Sequence, residues 1–471
     1  MTFPQSYVFD AQGAQCLYQH CPAEMAKGYQ RELATIQEEF QQEDREGYAA
    51  LVKRLRAWSW CHQIPQDHPE HTPLETLAKT GQRLRQEAKV LIVVGIGGSD
   101  LGTRTLYDLL CHPYRNHLIA AGQAQGPELY FTGDTFDPLR LQGLLDVLEQ
   151  RGLLDGTYIN IVSKSGTTAE TALAAMILAD RMGDDWMSRT IATTGFYEKS
   201  LLYRWQNQGP KQFFAMFPVP DGVGGRFSFA SPVGLVPMAA VCEGDPLTWL
   251  QSAMAGYGEA HEAFLNHPVE SNPAYQLAET LHVAETLCDK STLVFYPYFD
   301  NANLGAWFVQ LYAESVQERG SGLNVIPTTG PTGNHSLLNG IVNGPRDKLV
   351  LFLAPKAWGS ALSVPQSAPL EGNLEVFRGL SLARAQEASL EGTYQDFVGR
   401  EVPCSKLTFP GRDTRHVFGL MRLLMDAVAV KGRLQQLHID AETSARKVGD
   451  EDTYIQTGVE GYKKRMRENL A

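Results

Sequence analysis

The stretch "TYINIVSKSGTTAETALAAMI", residues 157–177, reads as a β-branched apolar run, then a loop of serine, threonine, glycine and one lysine, then helical spacing. A strand passing through such a loop directly into a helix is the repeating unit of a parallel α/β sheet. Thr167 followed three residues later by Glu170 matches a capping box ahead of an apolar stripe of Leu173, Met176 and Ile177, so the loop is expected to end at a helix N-terminus. There the unpaired backbone N–H groups and the positive end of the helix dipole favour an anion. The hydroxyls of Ser163, Ser165, Thr167 and Thr168 add neutral donors, and a phosphate suits the loop. A plain turn and helix cap would use the same residues, so the stretch alone leaves both readings open. Its place after a buried strand, at the carboxyl edge of a parallel sheet, weighs towards a ligand.

The same grammar runs outward in both directions. "KVLIVVGIGGS", "ELYFTGD", "TIATTG" and "QFFAMFPVP" surround the first stretch, and "TLVFYPY", "LNVIPTTG" and "KLVLFLAP" form a second set after a long helical stretch from Pro246 to Leu287. The chain is therefore expected to be α/β, with two related lobes, each a mainly parallel sheet flanked by helices. Residues 1–75 are polar and Gln/Glu-rich, with helical spacing in "AEMAKGYQRELATIQEEF" and a proline-laden linker, "IPQDHPEHTP". The expected organisation is a helical N-terminal segment over 1–75, a first α/β domain over 76–245, and a second over 246–471 that ends in a helical segment.

A chain of 471 residues with 43% apolar content is too long for one core. Its net charge of −12 would repel polyanions, so neither nucleic acid nor an anionic membrane is an expected partner. Seven scattered cysteines show no Cys-x-x-Cys or Cys/His metal spacing, which fits a reduced cytosol and no metal centre. The start lacks a signal-like pattern and no apolar run reaches membrane-spanning length, so a soluble, cytoplasmic protein is expected.

Other motifs carry chemistry. "VVGIGGSDLG", residues 93–102, has Asp100 where a dinucleotide fingerprint would place its third glycine, and no Walker lysine follows. What remains is close backbone approach at Gly97 and Gly98, with Ser99 available to a ligand or to cap the next helix. In "GVGGRFSFASPVGL", Arg226 offers a planar cation to an oxyanion, although a structural ion pair is the commoner fate of an arginine. In "NLGAWFVQLYAESVQERG", Leu304, Trp307, Phe308, Leu311 and Ser315 share a helical face, and Glu314 lies on its shoulder. A partly desolvated carboxylate there suits a general base, and a salt-bridged surface glutamate is the competing reading. "TTGPTGNHSLL" sets His335 just after a Gly/Pro/Thr loop, and "YIQTGVEGYKKRM" holds Gln456 and Lys463.

Taken in this order, "GIGGSDLG", "SKSGTTAET", "GGRFSFASPVGL", "QLYAES", "GNHS" and "GVEGYK" resemble the phosphoglucose isomerase family, whose two lobes are sugar-isomerase (SIS) domains. The resemblance covers roughly Leu91 to Met466. It implies isomerisation of glucose 6-phosphate and fructose 6-phosphate through an enediol, without metal or organic cofactor. By the same resemblance Glu314 is the proton-moving base, Arg226 faces the developing enediolate, and His335 and Lys463 open the sugar ring. Ser163, Ser165, Thr167 and Thr168 match the phosphate loop with Lys164 among them, while Gly98, Ser99 and Gln456 match other substrate contacts. It further implies a homodimer in which His335 is shared across the interface. A sugar-phosphate sensor and a nucleotide-dependent oxidoreductase are rival readings; retention of both Glu314 and His335 weighs against the first, the missing glycine against the second. The chain departs from the family's usual Gly-Thr-x-x-Gln-His with "GPTGNH", from Glu-Ser-x-Gly-Lys with "ESVQER", and from Asp-Gln with Ile455-Gln456.

Overall fold

The computed structural model describes residues 6–19, 23–53, 63–318, 320–435 and 460–470. Ten strands occur among them: β1 (Val8–Asp10), β2 (Val90–Val94), β3 (Glu128–Thr132), β4 (Thr157–Val162), β5 (Thr190–Thr194), β6 (Ala215–Pro218), β7 (Thr292–Pro297), β8 (Asn324–Pro327), β9 (Lys348–Ala357) and β10 (Cys404–Gly411). The chain divides into two compact units, one of Met1–Gln42, Glu259–Ile439 and Gly449–Ala471, the other of Glu43–Gly258 and Asp440–Val448.

The second of these units holds an all-parallel sheet in the order β3-β2-β4-β5-β6. Its centre is "VLIVV" and "TYINIV", buried at every position, as expected where helices cover both faces. Val90, Ile92 and Ile159 on the sheet pack with Ala174, Ala175, Leu178 and Met182 of the helix Ala169–Met182. That helix corrects one expectation. Leu173, Met176 and Ile177 are 55%, 38% and 45% exposed, and the face one position along, carrying two alanines, seats on the sheet. The capping box is absent as well: the helix begins at Ala169, its N-cap is Thr168, and no side chain caps it. The "IPQDHPEHTP" segment is irregular yet anchored, because Glu70 Oε2 accepts from the Tyr48 hydroxyl at 2.8 Å and from the Asp221 N–H at 2.9 Å.

The other unit carries a sheet in the order β1-β10-β9-β7-β8, parallel except for β1, which runs antiparallel to β10. Strands β1 and β10 were not foreseen. The stretch from Pro246 to Leu287 is two helices, Pro246–Asn266 and Pro273–Thr286, with Asn272 capping the second through its Oδ1 at 3.1 Å from the Ala274 N–H. Val294, Tyr296, Val350 and Phe352 of β7 and β9 form a core with Leu390, Tyr394 and Phe397 of the helix Leu382–Gly399. No helix among the described residues is long and apolar enough to cross a membrane.

Candidate active site

Strands β2 and β4 are parallel neighbours with Val94 opposite Ile161, so residues 95–99 and 163–168 leave the same edge of one sheet. The loop after β4 is held from behind. The Ser163 carbonyl accepts from Thr194 Oγ1 at 2.7 Å, the Lys164 carbonyl from the Gly195 N–H at 3.0 Å, and the Ser165 carbonyl from the Leu201 N–H at 3.1 Å. Its hydroxyls are organised too. Ser163 Oγ accepts from the Gly166 N–H at 3.1 Å, Ser165 Oγ accepts from the Thr167 N–H at 3.2 Å, and Ser165 and Thr167 share a hydrogen bond at 2.9 Å. With the Ser163, Lys164 and Ser165 carbonyls taken up by the fold, the half-buried or exposed Ser165, Thr167 and Thr168 stand before the first turn of the helix Ala169–Met182, whose N–H groups have no partner within the helix. Ser163 is buried, Thr167 exposed, and Lys164 Nζ pairs with Asp221 at 3.0 Å, which ties this loop to the segment leading into Arg226.

The loop after β2 packs on that same segment. A Cβ at Gly98 would stand 2.5 Å from the Arg226 nitrogen and nearer still to the Gly225 carbonyl carbon, and Ser228 Oγ bridges the Gly98 and Gly225 carbonyls at 3.3 and 2.7 Å. Only glycine permits this approach. Arg226 is 3% exposed and its guanidinium lies 4.6 Å from the Phe227 ring centroid, a cation held by an aromatic face. Gly98→Ala should therefore force the two backbones apart and displace Arg226. A catalysed rate that depends on Arg226 is expected to fall on the order of 10²-fold, as it does when a reacting group is misplaced by an ångström, while the fold survives. Steady-state kinetics beside a circular-dichroism melt checks this; an unchanged rate would separate Arg226 from the chemistry. Just behind the loop, burial pushes the Asp100 carboxyl up to about 6 although Arg104 lies 2.5 Å away.

In the other unit, the helix Ala302–Val316 starts at Asn301, whose Oδ1 accepts from the Leu304 N–H at 2.7 Å. Leu304, Trp307, Phe308, Leu311 and Ser315 are all buried, and Phe308 stacks on Phe295 of β7 with centroids 4.0 Å apart. Glu314 is half-buried on the edge of that face, and Gln310 Nε2, one turn earlier, donates to its Oε1 at 3.2 Å. Gln310 was not singled out from sequence; its i, i+4 relation to Glu314 on one helical face is the signal that finds it. His335 is exposed at the end of the turn Thr332–His335 that follows β8. Lys463 falls on the helix Glu460–Leu470, and Gln456 lies outside the described residues. The structure thus groups Gly98, Ser99, Arg226 and the 163–168 loop in one unit, and places Glu314 and His335 in the other.

The family profile described as phosphoglucose isomerase matches residues 76–326. A glucose-6-phosphate isomerase of Rubrobacter xylanophilus is 32% identical over 398 residues, spanning 83% of this chain and 88% of the relative. One from Carboxydothermus hydrogenoformans is 28% identical over 442 residues, 90% of this chain and 92% of the relative. Among solved structures, a hypothetical protein of Thermus thermophilus superposes with a TM-score of 0.74 at 24% identity, covering 99% of this chain and 100% of that one. A glucose-6-phosphate isomerase from Chlamydia trachomatis superposes at 0.70 and 17% identity, covering 99% and 88%. On the family profile and the extent of these alignments, the chain belongs to the phosphoglucose isomerase family.

Proposed function

We infer that this protein interconverts glucose 6-phosphate and fructose 6-phosphate, an aldose–ketose isomerisation of sugar metabolism. The observation that carries the chemistry is the Glu314 carboxylate: half-buried, set on a rigid helix, with one oxygen held by Gln310. A proton next to a carbonyl is removed by a base in a partly dry site, and the charge that develops on oxygen needs a fixed cation or donor. Glu314 moves the proton between carbons 1 and 2, and Arg226 meets the enediolate oxygen. His335 and Lys463 open the ring, and Ser99 and Gln456 hold sugar hydroxyls. Ser163, Ser165, Thr167, Thr168 and the helix end beneath them bind the phosphate, with Lys164 lying among them and tied to Asp221. In a chain of net charge −12, amides and hydroxyls hold a dianion without depending on overall charge. Binding energy from that remote group positions the reacting carbons.

The test is proton exchange. Fructose 6-phosphate in heavy water, followed by proton NMR, should lose one of its two carbon-1 proton signals while glucose 6-phosphate appears. Aldose formed without deuterium would rule out solvent-exchangeable proton transfer through a base, and no aldose at all would rule out the activity. We assign the protein to the cytoplasm as a homodimer in which each His335 serves the neighbouring subunit; the exposure of His335 and the resemblance support this. Sedimentation at micromolar concentration should then give twice the chain mass of 52.1 kDa. A monomer that retains activity would remove the shared-histidine arrangement.

A further inference from the structure

The turn that ends in His335 departs from its family's usual pattern at Asn334, one methylene shorter than the glutamine commonly found there. The structure gives this amide an unusually complete set of partners, all within one unit. The Tyr296 hydroxyl donates to Asn334 Oδ1 at 2.6 Å, and Asn334 Nδ2 donates to the Tyr298 hydroxyl at 2.8 Å and to Thr393 Oγ1 at 3.0 Å. The orientation of the amide follows from proton counting. Thr393 has one hydroxyl proton and gives it to the Ser389 carbonyl at 2.9 Å, so towards Asn334 it accepts. That puts the NH₂ on the Thr393 side and leaves the carbonyl oxygen for Tyr296.

The anchors themselves are rigid. Tyr296 and Tyr298 on and just past β7 are fully buried, and the Tyr296 ring stacks on Phe352 of β9 with centroids 5.2 Å apart. The turn sits directly on these rings. A Cβ at Gly333 would lie 2.5 Å from the Tyr296 hydroxyl, and Gln386 Nε2 bridges the Tyr298 and Gly330 carbonyls at 2.8 and 2.9 Å. The hydroxyls stand where the shorter amide meets all three of them.

We propose that Asn334 is a positioning residue: its amide, bonded to Tyr296, Tyr298 and Thr393, fixes the backbone immediately before His335 and so sets where the imidazole stands during ring opening. This rests on the ring-opening role given to His335 above. An amide holding the preceding residue at three points removes the backbone freedom that would otherwise spread an exposed imidazole over many positions, and catalysis is sensitive to such placement.

A double-mutant cycle on the full-length protein tests it, with isomerisation of fructose 6-phosphate as the readout. Asn334→Ala is expected to lower kcat on the order of 10²-fold with KM within about twofold, since the phosphate loop is untouched. In a His335→Ala background the same change should have less than about a twofold further effect, because the group that Asn334 places is gone. Tyr296→Phe removes one bond of the three and should show a smaller loss with the same dependence on His335, which keeps the test available if Asn334→Ala folds poorly. Equal losses with and without His335 would make Asn334 merely structural and overturn the proposal, as would an unchanged kcat in Asn334→Ala. If His335→Ala alone leaves kcat intact, the ring-opening role fails instead, and the proposal with it.

Discussion

Glu314→Gln is expected to slow isomerisation and carbon-1 proton exchange by about 10²–10⁴-fold, the range contributed by a positioned general base. The substitution keeps the length and shape of the side chain and removes only the charge that the proposed proton transfer requires. Binding of a phosphate-bearing ligand should stay within a few-fold of the original, because the loop at Ser163–Thr168 is built on strand β4 and belongs to the other compact unit. Isothermal titration with a non-isomerisable sugar phosphate, beside the exchange assay, separates the two effects. A parallel loss of binding would recast Glu314 as a structural carboxylate. Gln310 predicts the accompanying sign: deleting its amide frees the Glu314 oxygen it holds, so Gln310→Ala should lower the rate less than Glu314→Gln does.

The second large effect concerns stability. On the helix Thr414–Leu434, Arg422 and Asp426 are 0% and 1% exposed and paired at 2.7 Å, and Arg422 Nη2 also donates to His261 Nδ1 at 2.8 Å. Burial pushes the Asp426 carboxyl up to about 7 even beside this cation, and its Oδ2 has no partner. Removing one member of a buried pair costs about 3–5 kcal/mol because the other charge is left in the interior. Above pH 7, where the folded carboxyl is ionised, Asp426→Ala should carry that full cost, a fall in melting temperature on the order of 10 °C, since a guanidinium cannot shed its proton.

Arg422→Met should be milder, because the remaining carboxyl can take up a proton. The pH dependence follows from the same raised value. The unfolded carboxyl ionises near its ordinary value of about 4 while the folded one keeps its proton to about 7. Across that window the native state binds more protons, so this group's stabilisation is present at low pH and is lost as pH rises towards 7. Without Arg422 the folded carboxyl titrates higher still. Arg422→Met is therefore expected to melt close to the parent at pH 5 and to fall behind it between pH 6 and 8. A melting loss for Arg422→Met that is the same at pH 5 and pH 8 would show that packing, not charge, sets the cost.

The sheet strands that were legible are those that bury on both faces: "VLIVV" and "TYINIV" are continuous apolar runs, each followed by a glycine-bearing loop, and need no partner to be recognised. The Glu314 helix was legible for a similar reason, as its buried stripe recurs at helical spacing over about three turns. The loop at Ser163–Thr168 could be placed because strand, loop and helix are contiguous. Its cap could not, because Thr167 and Thr168 are equivalent until the helix axis is fixed by the sheet beneath it.

What only the tertiary structure decided is non-local. Strand β1 has three residues and exists because β10, about 400 positions away, offers an edge to it. Strand β10 alternates buried and half-buried positions and includes Lys406 and Pro410, a pattern that also suits a loop. In the helix Ala169–Met182 both candidate faces are apolar, and the alanine face wins because small side chains let the helix approach the sheet closely, which leaves Leu173 and Ile177 outside. The partners of Asn334 are of the same kind: two tyrosines and a threonine from distant segments, visible only once β7 and the helix Leu382–Gly399 are packed together. By itself the sequence determined the local units, since periodicity and loop chemistry act over a few residues; pairing edges, helix faces and the anchoring of the Asn334 amide came from contacts between segments far apart along the chain, whose energies no short stretch contains.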